Sequence, residues 1–184
     1  MSEFPLVVDL PAPVCREIGR VIVTFAAMEL VLSKVIYAML RLDQKAGRLA
    51  VKEPRATERF KLIRDLIALR GIPELPEFRE LATAIDQVQT QRDQLAHGVW
   101  VQRPSDGALI LRLTKGSWQP VKGQKGKTSR LVVPQGVLFS PAAARNLWQL
   151  IKILTKAIDR IGQALTSDSG PQQASPRKPP APSP

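Results

Sequence analysis

Gln91-Arg92-Asp93-Gln94-Leu95-Ala96-His97-Gly98-Val99-Trp100 is the stretch where one periodicity stops and another begins. Upstream of it, apolar residues recur at Phe78, Leu81, Ile85 and Val88, a spacing that marks one face of a helix. The next steps of four and three fall on Arg92 and Leu95, so an arginine stands where the pattern asks for a buried apolar side chain. Gly98 suits the position just past a helix end, which puts His97, the one histidine of the chain, in the last turn or at the cap. A helix C-terminus favours a cation there. Arginine, an adjacent carboxylate and a histidine at one helix end form a plausible phosphate-handling group.

Beyond Gly98 the residues turn β-rich. Val99–Gln102 and Ala108–Leu113 flank Pro104-Ser105-Asp106-Gly107, which predicts a hairpin; a third short strand is expected at Ser129–Val133. Residues 98–139 carry seven basic side chains against the single acid Asp106. Among them are Lys115, Arg130 and a basic loop holding Lys122, Lys125 and Lys127. Such a concentration suits a surface that contacts phosphates, because each neutralised phosphate releases counterions; a solvated loop is the alternative. Trp118 either stacks on an unpaired base or covers the core.

Before the quoted stretch lie two more helices. The first is expected from about Val14 to Leu42, after Pro11 and Pro13. Its twenty residues from Val21 to Leu40 are long enough to span a bilayer. Glu29 and Lys34 argue against that, each costing about 2.5–3.5 kcal/mol near a bilayer centre. A central bundle helix or one at a dimer interface fits better. A buried Arg92 needs a partner, and Glu29 either supplies it or faces solvent and Lys34. Residues 43–53 read as a short helix or turn. A second amphipathic helix then runs from Pro54 to about Arg70 on Phe60, Ile63 and Ile67, and Gly71 ends it. Pro76 sits near the first turn of the helix that carries the quoted stretch. The final helix starts at Ser140-Pro141, a cap followed by a first-turn proline. Its apolar stripe is Leu147, Leu150, Ile151, Leu154, Ile158, Ile161 and Leu165. Past Thr166 the chain turns to Ser, Gln and Pro, a composition that buries too little to order itself.

Length and composition fit one domain: 184 residues, 44% hydrophobic and 23% charged. Net charge of +11 is out of the ordinary and points to a polyanionic partner, nucleic acid first and an anionic membrane surface second. The single cysteine, Cys15, excludes an internal disulfide, and one Cys with one His cannot build a zinc site; Cys15 reads as a structural thiol. No metal or cofactor is expected. The N-terminus has no basic region ahead of an apolar run, so a cytoplasmic location is the default. Gly-rich phosphate loops and paired-carboxylate motifs are missing from the sequence, which leaves no competing enzyme class.

Arg92-Asp93-x-x-x-His97 followed by Gly98-Val99-Trp100 resembles the R-x4-H signature of HEPN domains (higher eukaryotes and prokaryotes nucleotide-binding), in the manner of a small bacterial member. The residue after the arginine is most often Asn in that superfamily; here it is Asp93. The resemblance covers residues 12–166. It implies a mainly α fold, an antiparallel bundle of four to five helices with a small β-hairpin insertion (98–139) before the last helix. Residues 1–11 would be an N-terminal extension and 167–184 a disordered Pro-rich tail. Functionally it implies a homodimer in which two helix ends build a composite, metal-independent endoribonuclease site. Arg92 would stabilise the phosphate, His97 would move the proton, Asp93 would orient one of them and Glu29 would support them. RNA is then the substrate, in toxin–antitoxin or phage-defence settings, with a cognate antitoxin as a further partner. A non-catalytic module that binds nucleic acid or protein is the alternative, and a membrane-surface scaffold a third.

Overall fold

Helix α1 (Ala12–Leu40) is the axis of the molecule, and every other helix packs on it. Val21, Phe25, Met28, Leu32 and Ile36 recur at steps of three and four along it and are fully buried. The computed structural model describes residues 6–7, 9–51, 55–112, 117–120, 129–132 and 137–167, with backbone alone for 117–120, 129–132 and 137. Among these residues α1 is the one helix long and apolar enough to cross a membrane. Here its apolar side faces α3 (Ala56–Leu69), α4 (Glu77–His97) and α5 (Pro141–Ser167). It stops at Arg41, which takes a left-handed conformation and donates its N–H to the Ala38 carbonyl.

The short helix α2 (Gln44–Ala50) is capped by Asp43, whose carboxylate accepts from the Ala46 N–H at 2.8 Å. It doubles back along α1 until Gly47 meets the Tyr37 ring, where a Cβ would lie 2.5 Å away. Direction along α1 can be read from the pairs. Arg92 of α4 lies over Phe25 and Leu95 packs on the cluster that contains Val14, so α4 runs against α1. Arg20 lies over Trp148 and Val35 abuts Gly162, so α5 runs with it. The expected all-antiparallel bundle is therefore mixed: the fold is mainly helical, with a parallel pair made by its first and last helices.

The insertion before α5 is a small antiparallel β region. Strands β1 (Val99–Gln102) and β2 (Leu109–Arg112) form the expected hairpin, with Trp100 opposite Leu111, and Gly107 takes a positive φ of 71° in the turn. Arg103 closes the turn by donating from Nε to Asp106 Oδ1 at 2.7 Å. Two-residue β5 (Val137–Leu138) adds to the other edge of β2. The N-terminal segment joins β1, through a bridge from Leu6 to Val101 and a 2.9 Å bond from the Val7 N–H to the Trp100 carbonyl. Both additions were not anticipated, since two residues are too few to show a period. The expected strand near Ser129 exists as β4 (Ser129–Val132), paired with β3 (Ser117–Pro120) in a second two-stranded sheet.

A hairpin this short is marginal alone. Trp100 and Leu111 anchor it by packing with Val14 and Ile18 of α1, and the Phe139 ring meets Trp100 edge-on at 4.9 Å. This second small core joins the main one through Leu95. Two expectations need correction. Leu150, assigned to the buried stripe of α5, is 36% exposed, whereas Leu147, Ile151, Leu154 and Ile158 are buried. Cys15 is exposed, its thiol 3.5 Å from the Leu10 carbonyl. Gly98 follows the last residue of α4, as expected, with extended backbone at φ −75° and ψ 152°. Its smallness matters for approach, because a Cβ there would collide with the Leu111 side chain and lie 2.6 Å from the Gln94 carbonyl oxygen.

Candidate functional site

Three helices meet where α1 passes the last turns of α4 and the first turn of α3. Phe25 and Glu29, one turn apart, share a face of α1. Across from them α4 supplies Arg92 and Asp93, and α3 supplies Arg59. The α3 end is fixed from α4, because its Arg55 cap offers no side-chain bond and the buried Gln89 accepts the Thr57 N–H at 3.2 Å instead. This holds the first turn of α3, and with it Arg59, against the other two helices.

The Arg92 guanidinium lies over the Phe25 ring, 4.6 Å from its centroid. Nη1 donates to Asp93 Oδ1 at 2.7 Å, and Nη2 stands 3.8 Å from Glu29 Oε2. The Nε–H is buried without a hydrogen-bond partner, a situation that costs about 1–3 kcal/mol. Arg59 Nη1 approaches the other Glu29 oxygen at 3.4 Å. Both Glu29 contacts exceed the length of a charge-assisted hydrogen bond, so its carboxylate retains free acceptor positions. Burial pushes the Glu29 carboxyl above its ordinary range, against the opposing pull of Arg59 and Arg92, and Asp93 adds to the rise.

The alternative of Glu29 facing only solvent is thus displaced by a two-arginine cluster with Glu29 at its centre. Arg59 was not anticipated. It lies next to Phe60 on a periodic helix, and periodicity names a face without naming what stands across from it. Phe25 belongs to the core and is also the platform for Arg92.

His97 is the last residue of α4 and is exposed. Five residues of helix separate it from Arg92, about 7.5 Å along the axis and about 140° round it. Among the described residues its ring makes no hydrogen bond or ion pair. One chain therefore gathers Arg92, Asp93 and Glu29 and leaves His97 apart at the helix end. Lys115, Lys122, Lys125 and Lys127 lie outside the described residues. Trp118 and Arg130 fall on the paired backbone of β3 and β4, opposite Leu131 and Gln119 respectively. Among the described residues no three His, Cys, Asp or Glu side chains gather as a metal site would need.

Glu29 and Arg59 also form one wall of an open cleft of about 590 Å³ between α1, α2 and α3. Ser33, Lys34, Tyr37, Gln44 and Arg48 complete its polar lining. Compared with family models, curated proteins and solved structures, the chain matches none.

Proposed function

We propose that this chain is a HEPN-like RNA-binding protein that cuts RNA as a metal-independent endoribonuclease, through a composite Arg92/His97 site between two copies. The observation that carries this reading is a half-buried Arg92 whose Nε–H is unsatisfied, on the same helix that ends in the exposed sole histidine, His97. A guanidinium N–H buried without an acceptor is costly to keep unless it binds something. A phosphate offers the acceptor that Nε lacks.

In this mechanism one His97 takes the proton of the RNA 2′-hydroxyl, and the 2′-oxygen attacks the adjacent phosphorus. The bond from phosphorus to the 5′-oxygen breaks, and that oxygen receives a proton from the partner subunit's His97. Arg92 stabilises the charge that builds on the non-bridging oxygens, and Asp93 holds Arg92 in orientation. The products are a 2′,3′-cyclic phosphate and a 5′-hydroxyl. One histidine cannot serve as both base and acid in a single cleavage, which is why the site needs a second copy. Support for that copy comes from α1, whose outer side presents Val23 at 70% exposure, Ala26, Ala27 and Leu30 beside the Glu29 cluster.

Incubation with total RNA and tRNA in EDTA should yield cyclic-phosphate ends with the wild type and none with His97→Ala, both proteins folding equally. Equal cleavage by both would sink the assignment. A second reading has an observation of its own: Asp93 already occupies part of the Arg92 fork at 2.7 Å. A non-catalytic module would use the same cluster as a strut and bind RNA without cutting it. Unchanged RNA with measurable affinity in both proteins would favour that reading.

A further inference from the structure

The exposed side of α5 carries Arg145, Lys152, Lys156 and Arg160, with Asp159 as the one acid on that helix. Arg145, Lys152 and Lys156 lie within about 40° of one another round the axis, and Arg160 flanks them on the side facing α4. From Lys152 to Lys156 to Arg160 the helix rises about 6 Å per step. That rise is close to the separation of neighbouring phosphates along a single nucleic-acid strand.

The row is extended from α1. Trp148 holds two cations on its ring, Lys152 Nζ at 4.6 Å and Arg20 at 5.6 Å from the centroid. Two cations on one ring raise the local positive potential, which favours an anion nearby. Arg20 is partly offset by Glu17 at 3.1 Å. Asp159 is engaged by the Gln163 side-chain amide at 2.9 Å. None of Arg145, Lys152, Lys156 and Arg160 has an ion pair with a carboxylate among the described residues.

We propose that this face of α5, with Arg20, is a rail for the sugar–phosphate backbone of RNA, gripping it without regard to sequence. The inference rests on RNA being the partner and not on cleavage. It also gives the chain a phosphate-binding surface separate from the basic loop at residues 122–127. A membrane surface fits less well. An interfacial helix needs its apolar stripe free, and here Leu147, Ile151, Leu154 and Ile158 are buried against the bundle.

The test measures the affinity of a single-stranded RNA at several salt concentrations, in a His97→Ala background so that nothing is cut. Replacing Arg145, Lys152 and Lys156 by Gln together should reduce the slope of log affinity against log salt by about 2, at roughly 0.7 per phosphate contact. Affinity near 0.1 M salt should fall by at least tenfold, with an unchanged melting temperature. An unchanged slope would overturn the rail, as would a slope lost only with Lys122, Lys125 and Lys127. Loss of binding to anionic phosphatidylserine vesicles with RNA affinity intact would overturn it in favour of a membrane. Cleavage by the wild type with an unchanged slope defeats the rail alone. A reduced slope without any cleavage defeats the nuclease reading alone.

Discussion

A carboxylate set between two arginines is usually taken as a stabilising bridge, but Glu29 has a different balance. Burial raises its proton affinity more than Arg59 and Arg92 lower it. The folded protein therefore holds this proton more tightly than the unfolded chain, and stability contributed at this position falls as pH rises from the ordinary value of 4.5 through the raised one. Melting temperatures of the wild type and Glu29→Gln, compared from pH 4 upward, should show the wild type losing ground to the variant. The opposite trend would mean that the arginines outweigh burial. Much of this cluster is legible in the sequence. Arg92 breaks the apolar period of its helix, and a charge at a core position demands a counter-charge, which Glu29 on the most apolar helix supplies. Arg59 leaves no such trace, since it breaks no pattern in its own helix.

The elements were readable to different depths. Long periodic helices announce themselves, and each of the four long ones lies within a few residues of where its apolar spacing predicts. Short strands do not: β5 has two residues, and the bridge from Leu6 to β1 depends on a neighbour remote in sequence. At the junction of α4 and β1 the sequence shows where the helix ends and not how closely Leu111 approaches. Gly98 needs to be small and has no need of a positive φ. Gly98→Ala should thus destabilise the protein by about 1–3 kcal/mol through overpacking against Leu111 and the Gln94 carbonyl. Chemical denaturation would measure it. If the cost comes from Leu111, Leu111→Ala should make the glycine substitution far less costly; additive losses would refute this origin.

For the molecule as a whole, assembly decides whether the proposed chemistry is available. Val23 is exposed at the middle of the apolar outer side of α1. If the proposed dimer forms through this face, Val23→Arg should convert it to a folded monomer in sedimentation and abolish RNA cleavage in parallel. A dimer that survives the change, or a wild-type monomer, would exclude this face. Finally, the parallel pairing of α1 with α5 has a consequence during synthesis. The ribosome makes α1 before α5, its most extensive partner, with more than a hundred residues between their starts. At about 5–20 residues per second, α1 waits on the order of ten seconds for its cover. Throughout that interval the nascent chain displays a long apolar helix near its N-terminus. Targeting factors and chaperones that survey emerging chains would meet the α5-facing side of α1 unprotected, so the order of translation makes release of α5 the step that completes its cover.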